Sequence, residues 1–167
     1  MSSKYNVAEC AAKHIHGRGQ KIAFTNGVFD LLTPTHCLFL EWIKIKLIEI
    51  TKWTPVTRQP EIFVGINSDN SVIRLKGLGR PIYDIISRIR IMESLAAVDA
   101  VFPFDEDTPE ELIKAIKPDF LVKGGDYKNK IITGQEFVKS YGGQILISPL
   151  FDGLHTSDLI EKIRRGV

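Results

Sequence analysis

The chain has 167 residues, of which 44% are hydrophobic and 25% are charged, and its formal net charge at pH 7 is +2. This length suits one domain with a sizeable core, and the near-balanced charge gives no sign of a nucleic-acid or membrane partner, although local basic clusters could bind phosphate. No apolar run approaches the roughly 20 residues of a membrane span, and the two cysteines form no C-x-x-C pair, so we expect a cytoplasmic protein without a disulfide framework or structural zinc.

Hydrophobic patterning predicts helices and strands that alternate along the chain. A short helix over residues 7–16 comes first. Five buried strands are predicted over residues 21–25, 61–66, 100–104, 119–122 and 144–148. Further helices are predicted over residues 85–97, 109–116, 135–141 and 157–165. This alternation predicts the α/β class, with an open parallel five-stranded sheet covered by helices on both faces.

The segment between the first two strands carries conflicting signals. Residues 43–50 read IKIKLIEI, and such strict alternation of apolar and polar side chains is typical of a strand. We predict a helix over residues 36–51 instead, because neighbouring parallel strands need a crossover and no other segment is available for it. Two prolines in TKWTPVTRQP (51–60) then indicate a surface loop.

Polar, glycine-bearing stretches follow the strands or open a helix. They read TNGVFD (25–30), NSD (67–69) with RLKGLGRP (74–81), KGGD (123–126) and LHTSD (154–158). The carboxyl ends of parallel strands share one edge of an open sheet, so three of these stretches converge there. The fourth joins them if it opens the last helix. Their glycines let the backbone approach a ligand closely.

The composition of these stretches predicts a polyphosphate site. Their positive charge comes from Arg74, Lys76, Arg80 and Lys123. Thr156 and Ser157, as helix caps, would present hydroxyl and amide groups to an anion. The chain has no G-x-x-x-x-G-K-[ST] loop, and Gly77-Leu78-Gly79 lacks the third glycine of the dinucleotide fingerprint. A P-loop kinase and a dehydrogenase are therefore both disfavoured.

Four long blocks of the sequence resemble a known enzyme family. They read FTNGVFDLL (24–32), VGINSDNSVIRLKGLGRPI (64–82), AAVDAVFPFDEDTPEELIKAIKPDFLVKGGDY (96–127) and YGGQILISPLFDGLHTSDLIEKI (141–163). These blocks are similar to the cytidylyltransferase-like nucleotidyltransferases, and most of all to the adenylyltransferase domain that makes ADP-heptose. The resemblance covers residues 20–165 and implies one Rossmann-like nucleotidyltransferase domain of the H-x-G-H type over residues 1–167. Residues 1–19 are then an N-terminal helix, and residues 51–60 an inserted surface loop.

The resemblance implies adenylyl transfer from ATP to a sugar 1-phosphate, D-glycero-D-manno-heptose 1-phosphate. A phosphate oxygen of the sugar would attack the α-phosphorus of ATP in line, and pyrophosphate would leave with Mg²⁺ that the nucleotide phosphates mainly hold. No metal site built from side chains and no covalent enzyme intermediate is implied. Catalysis would then rest on positioning and electrostatic stabilisation.

The family signature H-x-G-H reads Thr33-Pro34-Thr35-His36 in this chain. Related adenylyltransferases that act on phosphopantetheine use T-x-G-H, so a threonine in the first place is compatible with the chemistry. A hydroxyl can donate one hydrogen bond to a phosphate but cannot carry charge. We expect the Cβ of Thr35, where the family has glycine, to push the backbone away from the triphosphate.

Positions that match the family pattern give the expected site residues. Catalytic roles are expected for His36, Lys76 and Thr33. Nucleotide binding is expected for Thr25, Asn26, Gly27, Phe29, Asp30, Lys123, Gly124, Thr156 and Ser157. Substrate binding is expected for Asn67, Asp69, Arg80 and Asp126. Lys123 and Asp126 fit a tight turn without a ligand equally well, and His155 is interpreted as structural. Arg88 and Arg90 are interpreted as the solvent face of a helix, although Arg88 matches an arginine of the family.

Three functional hypotheses remain open. The first is the adenylyltransferase, which the KGGDY and GQILISPL blocks favour because they resemble the heptose branch. The second is cytidylyl transfer to glycerol 3-phosphate or another small phosphorylated alcohol. The third is a nucleotide-binding module with weak catalysis, because H-x-G-H reads TPTH. The expected partners are small-molecule substrates rather than nucleic acid or membrane, and the resemblance allows a homodimer.

Overall fold

The computed structural model describes residues 4–54, 58–153 and 156–166, which hold a five-stranded parallel sheet with helices packed on it. The strands are β1 (Ile22–Gly27), β2 (Glu61–Asn67), β3 (Ala100–Phe104), β4 (Phe120–Lys123) and β5 (Gln144–Ile147). The helices are α1 (Asn6–Gly17), α2 (Pro34–Thr51), α3 (Asp69–Lys76), α4 (Ile85–Glu93), α5 (Glu110–Ile116), α6 (Gln135–Ser140) and α7 (Thr156–Arg165), with a 3₁₀ turn at Gly125–Tyr127. The predicted α/β class is confirmed.

The strand order β3-β2-β1-β4-β5 places β1 at the centre of the sheet. On one side β1 pairs with β2, from Ile22 opposite Glu61 to Gly27 opposite Ile66. On its other side it pairs with β4. The direction in which strands are added therefore reverses between β1 and β4. In open α/β sheets, ligands bind in the crevice outside the carboxyl ends of such a strand pair.

Side chains that alternate along the strands form two hydrophobic layers. Phe24 and Phe63 belong to the layer that also holds buried residues of α1, α5 and α6. Ala23 and Val64 belong to the layer that holds buried residues of α2 and α4. Because both faces are covered, the strands appear in the sequence as nearly continuous apolar runs. Each large apolar side chain buried in these layers stabilises the fold by about 1.5–3 kcal/mol.

The ambiguous IKIKLIEI segment is helical, as predicted, within α2. Leu40, Ile43 and Leu47 are buried at helical spacing, whereas Ile45 is 59% exposed. One apolar stripe of the helix therefore packs on the sheet, and the alternation of apolar and polar residues does not correspond to a strand. Helix α2 ends at Thr51, and the C-cap residue Lys52 has a left-handed backbone with φ 50°.

Four of the five predicted strands had wrong boundaries. The bounds of β4 (Phe120–Lys123) and β5 (Gln144–Ile147) differ from the prediction by one residue, and β1 and β2 extend further than predicted. Strand β1 does not end at Thr25, because Asn26 and Gly27 continue the ladder opposite Gly65 and Ile66. Strand β2 likewise extends one residue further, to Asn67. The polar residues at the ends of these strands are thus held in regular sheet, which makes their backbone more rigid than a loop would be.

The region after β2 also differs from the prediction. Arg74 and Lys76 were assigned to a glycine-bearing loop, but they lie in α3, which begins after the N-cap Ser68. The Ser68 hydroxyl accepts a hydrogen bond from Ser71 N at 3.1 Å. Helix α4 ends at Glu93 rather than at residue 97. The predicted inserted loop over 51–60 lies partly outside the described residues, and the single domain over 1–167 stays a prediction.

Candidate active site

A cavity of about 490 Å³ opens outside the carboxyl ends of β1 and β4. Most of the predicted site residues line it: Gly27, Phe29, Asp30, Thr33, His36, Lys76, Arg80, Gly124, Asp126, Thr156 and Ser157. The other predicted residues lie outside this lining: Thr25, Asn26, Asn67, Asp69 and Lys123. Residues 148–151 also line the cavity, although the sequence analysis assigned them no function. Their position directly after β5 is a signal that could have indicated them, since carboxyl ends of parallel strands share one edge of the sheet.

The loop after β1 presents an aromatic ring to the first turn of α2. Phe29 has a left-handed backbone, with φ 46°, which is uncommon for a residue other than glycine. Its ring meets the imidazole of His36 edge-on, with centroids 5.5 Å apart. A Cβ on Gly27 would lie 3.0 Å from the Phe29 ring. A glycine at position 27 therefore allows the ring to fold back over the end of β1.

Asp30 fastens the segment after α3 to the rim of the cavity. Its buried carboxylate accepts hydrogen bonds from Arg80 Nε at 2.6 Å, Ile82 N at 2.7 Å and Tyr83 N at 3.0 Å. Both carboxylate oxygens are thus already engaged by the protein. Arg80 uses only Nε in this contact, so its guanidinium keeps further donors for an anion in the cavity.

Arg88 is a buried clamp, and its interpretation as a solvent-facing residue was wrong. It has no exposed surface. Its guanidinium donates to Tyr83 O at 3.0 Å, Val28 O at 2.8 Å and Asp69 Oδ1 at 2.7 Å. Asp69 also accepts from Ile85 N at 3.2 Å. Asp69 therefore holds the framework around the cavity, and its predicted contact with the substrate stays a prediction.

The H-x-G-H position forms the start of α2. Thr33 is the N-cap, with an extended backbone, and Pro34 follows in the first turn, where proline needs no hydrogen-bond partner. The Thr33 amide donates to Nδ1 of His36 at 3.1 Å, and the Thr33 hydroxyl lies 2.9 Å from the same nitrogen. His36 lines the cavity, close to the amide groups of the helix start, which attract anions.

Lys123 lies at the carboxyl end of β4 and is 6% exposed. Its ammonium group donates to Asn26 Oδ1 at the end of β1 and lies 5.3 Å from the centre of the Tyr127 ring. Burial removes water from the ammonium group and lowers the pKa of Lys123 to about 8, and the negative charge of Asp126 partly opposes this shift. The pair of Lys123 and Asn26 thus joins the two strands between which the sheet order reverses.

The remaining predicted residues have simpler surroundings. Lys76, at the end of α3, is exposed and lines the cavity, with no hydrogen bond or ion pair among the described residues. Asn67 is buried and donates to Ser71 Oγ at 3.0 Å. Thr156 donates to Leu31 O at 3.0 Å, which docks the first turn of α7 on the loop after β1. Thr156 and Ser157 are the first described residues of that helix, and His155 lies outside the described residues.

The segment after β5 forms the far wall of the cavity. Two glycines allow it to pack closely: Gly125 lies against Leu150 of the segment, and Gly153, within the segment, lies against Thr35. A Cβ on Gly125 would lie 2.5 Å from Leu150 N, and a Cβ on Gly153 would lie 2.8 Å from Oγ1 of Thr35. Ser148 N donates to Lys123 O at 2.9 Å. Thr35, which replaces the family glycine, therefore packs on this wall while also lining the cavity.

Across residues 4–54, 58–153 and 156–166, no group of three or more His, Cys, Asp or Glu side chains could hold a metal ion. None of the described helices combines the length and apolar character required to cross a bilayer.

Comparison with known proteins assigns the chain to a family. A family model described as cytidylyltransferase-like matches residues 24–159. The bifunctional protein HldE of Pseudomonas aeruginosa (strain LESB58) is 40% identical over 155 residues, which are 93% of this chain and 30% of that protein. HldE of Actinobacillus succinogenes is 43% identical over 159 residues, which are 95% of this chain and 31% of that protein. The chain therefore spans about 30% of the length of these curated relatives.

A solved structure shares the fold. The crystal structure of the lipopolysaccharide core biosynthesis protein from Thermoplasma volcanium GSS1 has a TM-score of 0.59 and 23% sequence identity, and the match covers 81% of this chain and all of that one. The family model matches residues 24–159, which include the strand ends and the start of α2 that line the cavity. Because this match spans most of the chain, the chain belongs to the cytidylyltransferase-like family of nucleotidyltransferases.

Proposed function

We propose that the chain is an adenylyltransferase that transfers AMP from ATP to D-glycero-D-manno-heptose 1-phosphate and releases pyrophosphate. One observation carries this proposal: a single cavity at the reversal point of the sheet gathers the start of α2, His36, Lys76 and Arg80. Family membership supports nucleotidyl transfer, and the similarity to HldE supports a sugar 1-phosphate as the acceptor. The ends of β1 and β4 supply the rigid frame.

The reaction requires donors and positive charge rather than a base. The phosphate group of the acceptor is already ionised near neutral pH, so no proton has to be removed before it attacks the α-phosphorus. Negative charge on the transferred AMP group and on the leaving pyrophosphate has to be stabilised. His36, Lys76 and Arg80 line the cavity and can do so together with the amide groups of α2.

The site suits Mg²⁺ that enters with the nucleotide. Mg²⁺ is typically bound by one or two carboxylates together with substrate phosphates and water. Asp126 lines the cavity, whereas the carboxylate of Asp30 is engaged by Arg80 and two backbone amides. When bound, Mg²⁺ neutralises part of the triphosphate charge, and the residues of the chain orient the phosphate groups.

We also infer a cytoplasmic location, no nucleic-acid partner and a homodimer. The two cysteines without a C-x-x-C pair and the near-balanced charge support the first two. Exposed apolar side chains on α3, on α4 and between these helices support the third: Leu75, Leu78, Ile82 and Ile86. Light scattering of the purified chain measures the oligomeric state, and a monomer at micromolar concentration would contradict the dimer.

Two other functions are tested by the same assay. Cytidylyl transfer to glycerol 3-phosphate or a similar phospho-alcohol uses the same phosphate contacts and differs in the base and the acceptor. A nucleotide-binding module with weak catalysis is favoured by the Thr33-Pro34-Thr35-His36 variant of the signature, in which one charge-bearing histidine is absent.

The deciding experiment measures pyrophosphate release with Mg²⁺, crossing ATP and CTP against heptose 1-phosphate and glycerol 3-phosphate. Release with ATP and heptose 1-phosphate alone supports the proposal. Release with CTP and glycerol 3-phosphate alone selects the second function. No release with any pair, while ATP still raises the melting temperature, selects the binding module.

A further inference from the structure

Two hydrogen bonds in the first turn of α2 define the state of the His36 ring. The backbone amide of Thr33 can only donate, and it points to Nδ1 of His36 at 3.1 Å. An imidazole nitrogen that accepts a hydrogen bond carries no proton, so the proton of the neutral ring lies on Nε2. The Thr33 hydroxyl, 2.9 Å from the same Nδ1, must then donate as well.

This arrangement is a capping box with a histidine in the position that usually holds Glu or Gln. In a capping box the third helical residue turns its side chain back to the N-cap amide. Here His36 occupies that position and Thr33 is the N-cap. Thr33 is 3% exposed, so water cannot readily replace either hydrogen bond. The ring also makes an edge-on contact with Phe29.

We propose that Thr33 is a positioning residue that holds His36 as the neutral Nε2–H tautomer, so that His36 binds phosphoryl oxygen only as a hydrogen-bond donor. The inference deepens the proposed function and rests on it for the identity of the ligand. It also changes the part expected of Thr33, whose hydroxyl is directed to His36 rather than to a phosphate. The signature TPTH then retains the donor that the reaction needs, because no step of the transfer requires His36 to exchange a proton.

The first test is a spectroscopic measurement on the free protein. Long-range ¹H–¹⁵N correlation spectra of the histidine-labelled chain at pH 7.5 distinguish the two neutral tautomers and the imidazolium ion. We expect His36 to show an unprotonated Nδ1 and a protonated Nε2. A ring protonated on Nδ1, or on both nitrogens, would overturn the proposal. This measurement needs neither nucleotide nor acceptor, so it tests the tautomer of His36 even if the proposed function is wrong.

The second test separates positioning from direct contact with phosphate. Thr33→Val removes the hydroxyl but keeps the backbone amide, and Thr33→Ser keeps both donors. We expect Thr33→Val to shift the His36 Nδ1 signal, because one of its two donors is lost while the backbone amide keeps the Nε2–H form. We expect it to lower kcat about tenfold, with KM for the nucleotide changed less. Thr33→Ser should restore both readouts. Thr35→Val is the matched control, since it removes another cavity-lining hydroxyl in the same turn and should leave the His36 signals unchanged.

Two outcomes of this test contradict the positioning role. If Thr33→Val lowers kcat while the His36 ring signals stay the same, the hydroxyl acts directly on the substrate. If neither the signals nor kcat change, Thr33 has no part in holding His36. Circular dichroism checks that the variants fold. If Thr33→Val does not fold, the tautomer measured on the native chain decides the proposal.

Discussion

At the scale of single residues, burial of the Lys123 ammonium group lowers the stability of the folded chain at neutral pH. Its pKa is about 8 in the folded chain and 10.5 in the reference state that represents the unfolded chain. Between these values the unfolded chain binds more protons, so the free energy of unfolding rises with pH from about 8 to 10.5. Below pH 8 the folded chain carries the full cost of the buried charge, on the order of 3 kcal/mol.

We therefore expect Lys123→Met to stabilise the free protein at pH 7 and to remove the rise in stability between pH 8 and 10.5. Methionine fills a similar volume without the charge that burial disfavours. Urea unfolding at a series of pH values measures both effects. Lys130→Met is the matched control, because the exposed Lys130 lies 5.1 Å from the same Tyr127 ring. An unchanged pH dependence in Lys123→Met would show that Lys123 titrates at its ordinary pKa.

Replacing Lys76 should weaken nucleotide use without affecting the stability of the fold. Its side chain is exposed, lines the cavity and has no hydrogen bond or ion pair within the part of the chain that the structure describes. Lys76→Ala should lower kcat/KM for ATP about tenfold or more, because one cation that faces the phosphates is lost, and should leave the melting temperature unchanged. Lys139→Ala on α6 removes an exposed lysine outside the cavity and serves as the control. Unchanged turnover and nucleotide affinity would exclude Lys76 from the site.

At the scale of elements, Arg88 connects helix α4 to the loop after β1 and to the start of α3. Replacing Arg88 by methionine leaves Val28 O and Tyr83 O without their donor and Asp69 without its counter-charge. We expect a loss of about 3 kcal/mol or more in the free energy of unfolding. Denaturant unfolding measures it, and the exposed Arg90→Met on the same helix should change it by less than about 0.5 kcal/mol. Equal effects of the two variants would refute the clamp.

The wall formed by residues 148–151 depends on the glycine pair after β4. A Cβ on Gly125 would lie 2.5 Å from the backbone of Leu150, whereas a Cβ on Gly124 would meet only the flexible carboxylate of Asp126, at 2.8 Å. Gly125→Ala should therefore displace the wall, destabilise the fold by about 1–3 kcal/mol and weaken nucleotide binding. Gly124→Ala should have a smaller effect on both quantities. Calorimetry with ATP compares the two variants, and a larger effect of Gly124→Ala would contradict the packing argument.

The start and course of α2 show how far an element can be predicted. The helix over 36–51 was predicted correctly against a strand-like pattern, because the parallel sheet requires a crossover at that place. The contact of Thr33 with Nδ1 of His36 could not be predicted in the same way, since it depends on the rotamer of one side chain. Helix α3 was missed because it has only eight residues, and the glycines directly after it led us to interpret its end as part of a loop.

At the scale of the whole molecule, the sheet order decides which predicted residues share a cavity. Strand-end motifs predicted the lining by Gly27, Asp30, Arg80 and Gly124, because carboxyl ends of parallel strands meet at one edge, whereas His36 was predicted from the family signature. The order β3-β2-β1-β4-β5 adds the reversal between β1 and β4 that opens the crevice. It also explains why Lys123 and Asn26 meet each other, at the join of these two strands, instead of lining the cavity.

The sequence by itself determined the α/β class, the number of strands and the polar, glycine-bearing composition of the strand ends, and the resemblance of its long blocks indicated the family. Local periodicity and short motifs encode these properties, and they need no knowledge of distant contacts. Only the tertiary structure decided that Arg88 is a buried clamp, that Asp30 holds Arg80 and that Thr33 turns to His36. Each of these assignments depends on atoms brought together by folding, either across tens of residues or by the choice of one rotamer, and neither leaves a pattern in the linear chain.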